Sequence, residues 1–109
     1  MIDPDAIYRK LVVAGHDWAD KEAAADILEE CKKVVLAELT LRQLKAGTKS
    51  RAEAEQEALA LPEYREHIEA QVNARKAANR ARVDYDGMKA LMELRRSQEA
   101  TRRAEANLV

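Results

Sequence analysis

From Pro62 to Ala106, forty-five residues, Gly87 is the only residue hostile to a helix interior. A stretch this free of breakers predicts one long helix, a rod of roughly 65 Å at 1.5 Å per residue. The alternative is a turn at Asp86-Gly87 that splits the rod. Only 3 Gly and 2 Pro occur in 109 residues, so long elements are expected throughout. Ala, Glu, Lys, Leu and Arg make up 64 residues, the bias of long helices and coiled coils. Leu, Ile and Val total only 22 and Phe is absent, so a self-sufficient globular core is hard to build. The expected fold is therefore all-α. It is an elongated helical hairpin or open bundle, one domain over 1–109, completing its core as a coiled-coil-like homo-oligomer.

Local signals divide the chain. Asp3-Pro4 reads as a helix start, and Gly15 as the stop of a short helix over about 4–14. Asp17 is expected to cap a second helix over 18–46. Ile27, Leu28, Cys31, Val34, Val35, Leu36, Leu39, Leu41 and Leu44 would form its wide apolar face, with Gly47 as terminator. Ser50 and Glu53 have capping-box spacing and open a helix over 51–60. Pro62 starts the last helix, 62–106. Along it, Ala70, Ala74, Ala77, Ala81, Met88 and Leu91 follow heptad-like steps and form the expected oligomer interface. Tyr64, Ile68, Val72 and Met92 are expected to pack in the core or against a partner helix.

The net charge of -1 conceals an uneven layout. Residues 50–74 carry a net -4, and residues 75–109 a net +4. Arg75, Lys76, Arg80, Arg82, Lys89, Arg95, Arg96, Arg102 and Arg103 supply the positive charge. Guanidinium groups grip phosphates through paired hydrogen bonds, and helical spacing aligns some of these. Arg75, Arg80, Arg82, Arg95, Arg96, Arg102 and Arg103 are therefore the candidate nucleic-acid contacts. The competing reading is a solvated or protein-facing surface, with Glu99 four residues from both Arg95 and Arg103. Tyr85 is the only aromatic residue nearby, which favours backbone contact over base stacking.

Other constellations point to structure. Trp18, beside His16 and Asp17, suits an anchor between helices. Glu63 and His67 share a helix face, but two ligands do not make a metal site. Asp84, Asp86 and Gly87 lack the remainder of a calcium loop. Cys31 fits a small buried hydrophobe, and a lone cysteine forms no intrachain disulfide. No phosphate-loop, nucleophile-elbow or zinc-protease motif occurs, so neither an enzyme, a metal nor a cofactor is expected. The acidic start MIDPDAIYRK and the lack of a long apolar run predict neither a secretion signal nor a membrane span.

The segment 64–108 pairs a Tyr-containing Ala/Arg helix (Ala77 to Tyr85) with a Glu93, Arg96, Thr101-Arg102-Arg103 ending. In this it resembles small all-helical phage and prophage proteins encoded near single-strand-annealing recombination genes. The resemblance implies a non-enzymatic accessory of DNA recombination or replication. It would act in the cytoplasm of a phage-infected or lysogenic bacterial host, on DNA or a recombination protein. A pure protein-interaction module, such as an adaptor, assembly factor or inhibitor, is the alternative.

Overall fold

The computed structural model describes residues 4–47 and 50–108. The chain is all-α: α1 (Pro4–Glu30), α2 (Lys32–Lys45), α3 (Arg51–Leu59) and α4 (Pro62–Asn107). It measures 87 × 18 × 16 Å, with a radius of gyration of 24.3 Å. A compact chain of this length would have a radius near 13 Å. The expected Asp3 cap lies outside the described residues.

The chain does not stop at Gly15. α1 runs through it to Glu30, which corrects the expected helices 4–14 and 18–46. The reason is a close approach: a Cβ on Gly15 would sit 3.3 Å from Tyr85 Cε2. Glycine at this point gives an aromatic ring room against the α1 backbone. Asp17, expected as a cap, lies in mid-helix and pairs with Lys21 at 3.0 Å.

The interruption comes instead at Cys31. The ladder is kept on both sides by Cys31 N–H to the Ile27 carbonyl and Val35 N–H to the Cys31 carbonyl, each 2.9 Å. The Leu28 carbonyl, which a straight helix would give to the Lys32 N–H, accepts from His67 Nε2 at 2.9 Å. His67 thus fastens α4 to the bend. Glu63, its neighbour on the helix face, pairs with Arg42 of α2 instead.

α1 and α4 run antiparallel. Leu28 meets His67, Glu22 meets Arg75, and Gly15 meets Tyr85, so α4 ascends as α1 descends. Leu11, Trp18 and Ala25 repeat at seven-residue steps on α1; Tyr64, Gln71, Ala78, Tyr85 and Met92 do so on α4, and all are buried or half-buried. This is the periodicity of a two-helix coiled coil, made within one chain. Trp18 and Tyr85 lie in this seam, ring centroids 5.5 Å apart.

At the other end α2, α3 and the start of α4 form a cap. Ala54 and Ala58, one turn apart, are fully buried and let α3 lie close to α2. Ser50 Oγ accepts the Glu53 N–H at 3.1 Å, the hydroxyl half of the expected box. Buried Thr40 satisfies its hydroxyl on the Leu36 carbonyl at 2.7 Å. Gly47 takes φ +105° after α2, a left-handed conformation suited to glycine. Pro62 opens α4, which continues unbroken through Gly87.

Of the expected wide apolar face, Leu39 is buried, while Ile27, Val34 and Leu41 are exposed. Among the described residues, no large side chain is fully buried; the innermost are Ala25, Ala54, Ala58, Ala78 and Ala81. Along the α1–α4 pair, two close-packed helices have no third layer to cover a larger residue.

Candidate nucleic-acid interface

α4 is longer than its partner helix. Gly15 stands beside Tyr85, so the antiparallel register brings Pro4 level with Arg96. Residues 96–108 are exposed on every side. The basic third of the chain is thus divided between a stretch that flanks α1 and an overhang.

Arg75 stands apart from the other arginines. Its guanidinium makes a bidentate contact with Glu29 at 2.8 and 2.9 Å, reaches Glu22 at 2.9 Å and Asp26 at 2.7 Å. Glu22 also accepts the Trp18 indole N–H at 3.2 Å. The hydrogen bonds that Arg75 donates to Glu29, then Asp26, then Glu22 push its pKa further up. The same guanidinium lowers that of Glu29. Three carboxylates around one cation leave this site locally negative. Arg75 clamps α1 to α4 and is withdrawn from the candidate contacts.

Past Arg75 the matching positions of α1 carry no acid, although Asp86, Glu93 and Glu99 stand three or four residues from the following cations on α4 itself. The Arg75 position recurs every seven residues as Arg82, Lys89, Arg96 and Arg103. Adjacent rungs stand about 10.5 Å apart, and the four together span about 31 Å. On α1, the Glu22 position recurs as Gly15 and Tyr8, and the Asp26 position as Ala19 and Val12. None of these four carries charge. Among the described residues, no ion pair or hydrogen bond engages Arg82, Lys89, Arg96 or Arg103. Glu99 likewise makes no ion pair with Arg95 or Arg103. The result is a line of unpaired cations along one flank.

The remaining candidates lie elsewhere. Arg95 and Arg102 occupy the opposite flank, Arg95 half-buried and Arg102 on the overhang. Arg80 is exposed on the outer side of α4. Beyond the end of α1 the two flanks merge, so Arg102 and Arg103 are accessible together.

The residues expected at an oligomer interface are also dispersed. Ala81 is buried beside Ala14 of the same chain, and Ala74 shares its heptad position. Ala77 is half-buried, while Ala70, Met88 and Leu91 are exposed. The observed seam runs one residue away from the expected one, through Ala78 and Tyr85.

Two features of the basic flank stand outside the expected contacts. Lys89, named among the basic residues but not among those contacts, completes the seven-residue series. Tyr8 is 57% exposed and stands level with Met92, between the Lys89 and Arg96 rungs. It is far away in sequence, and no local signal links it to them.

Among the described residues, no helix is long and apolar enough to cross a membrane. No family model, curated protein or solved structure matches this chain.

Proposed function

We infer that this chain is a non-enzymatic accessory protein of DNA recombination or replication. It binds the nucleic-acid backbone through α4 and acts as a homo-oligomer in the bacterial cytoplasm. The observation that carries the reading is the line Arg82, Lys89, Arg96 and Arg103, unpaired along one flank. Structural arginines are neutralised by neighbouring acids, as Arg75 is by Glu22, Asp26 and Glu29. Four cations in line without partners suit a partner that supplies the negative charge. A rung every ~10.5 Å corresponds to about three base-pair steps of a duplex, each rung replacing a condensed counterion. The phage setting rests on the resemblance of residues 64–108 alone.

Fluorescence anisotropy with labelled single- and double-stranded oligonucleotides tests the reading across a salt series. Replacing Arg82, Lys89, Arg96 and Arg103 with Gln should weaken binding similarly for all sequences. It should also reduce the slope of log K against log salt by about 3 to 4. Arg75→Gln should leave that slope unchanged. An identical slope in the quadruple variant would remove the line from the argument. The exposed Ile27, Val34 and Leu41, seven residues apart, favour the protein-interaction module as second reading. Absence of oligonucleotide binding even at low salt would promote it.

A further inference from the structure

The flank opposite the basic line carries a different chemistry. There α1 and α4 border an open groove whose apolar wall includes Val13 and Met88. Leu91 continues this exposed surface along α4, and Val13 is 67% exposed. Lys10 stands on one side of Val13 along the groove, and Asp17 and Asp84 on the other. Among the described residues, neither Lys10 nor Asp84 has an ion-pair partner; Asp17 holds Lys21.

We propose that this face is the interface of an antiparallel homodimer, with the two-fold axis passing beside Val13. A two-fold interface requires a surface complementary to itself, on which residue i meets j and j meets i. This groove has that property. Rotation about an axis near Val13 carries Lys10 of one copy onto the level of the partner copy's Asp17 and Asp84. The reciprocal pair forms at the same time. Val13 meets its own symmetry mate.

The elongated chain exposes 8428 Å², against roughly 6,100 Å² for a compact monomer of its mass. The dimer leaves both basic lines free on its outer flanks, so it does not depend on nucleic-acid binding.

Sedimentation equilibrium reads mass independently of shape, which matters for so elongated a chain. The wild type should sediment at twice 12.3 kDa. Val13→Glu should sediment as a monomer with its helical circular dichroism unchanged, because Val13 supports no core. Lys10→Asp should weaken dimerisation at least about tenfold, and adding Asp84→Lys should restore it. In a Cys31→Ala background, Val13→Cys should form an interchain disulfide on mild oxidation and Val34→Cys should not. A wild type that remains monomeric at every concentration overturns the proposal. So does a Val13→Glu dimer, or crosslinking through Val34→Cys instead of Val13→Cys.

Discussion

At the scale of single residues, the two helical glycines show how one residue type serves different ends. Gly15 makes room for Tyr85, whereas a Cβ on Gly87 would meet nothing within 4 Å. Glycine in a helix interior costs roughly 0.5–1 kcal/mol relative to alanine. Gly87→Ala should therefore recover most of that amount and raise the melting temperature by a few degrees. Gly15→Ala should recover less, because its methyl group presses on the Tyr85 ring. Thermal melts of the two variants check this order. A destabilising Gly87→Ala would mean that Asp86-Gly87 acts as a turn. His67 makes the same point about context. The sequence pairs it with Glu63, yet His67 serves the Leu28 carbonyl and Glu63 serves Arg42.

At the scale of elements, α1 and α4 are held by an alanine-rich seam and by one ionic cluster. Arg75 binds acids from two successive turns of α1, so its removal should lower the melting temperature, while Arg82→Gln should not. The pH dependence follows from the carboxylate. Glu29 has its pKa lowered from the ordinary 4.5 by the Arg75 hydrogen bond, so the folded state binds its proton less readily than the unfolded chain. The cluster's contribution is thus fully present above that ordinary value and is lost as pH falls through the lowered one. Melts at about pH 7, 5 and 3 should show the difference between wild type and Arg75→Gln unchanged between the first two and smaller in the most acidic sample. A constant difference across that range would disconnect Glu29 from stability. Glu63, lowered by its hydrogen bond from Arg42, adds to the same acid sensitivity at the cap.

At the scale of the whole molecule, a thin rod keeps most of its surface in water and divides it by flank. One flank carries unpaired cations, and the other carries the groove around Val13. The overhang beyond Arg95 contributes charge without packing. Truncation after Arg95 should therefore leave the melting temperature nearly unchanged. It should nonetheless weaken oligonucleotide binding and lower the salt slope by about 2 to 3, one for each of Arg96, Arg102 and Arg103. A large loss of stability on truncation would show that the overhang packs against something.

The all-α class, the elongated form and the long last helix were legible in the sequence, because they depend on local properties. Scarce glycine and proline, abundant alanine and a capping serine act within a few residues of where they stand. The extent of α1 was not legible: Gly15 carries the same local preference whether a helix ends there or an aromatic ring 70 residues away needs the space. Nor was the register of the seam. In an Ala-rich helix several faces are equally small, and the hydrophobic pattern alone does not choose among them. Tertiary contacts chose: Tyr85 against Gly15, and Arg75 among Glu22, Asp26 and Glu29. The same contacts sorted the arginines. Composition supplies their number, but only the course of α1 alongside α4 decides which have an acid across the seam and which face solvent.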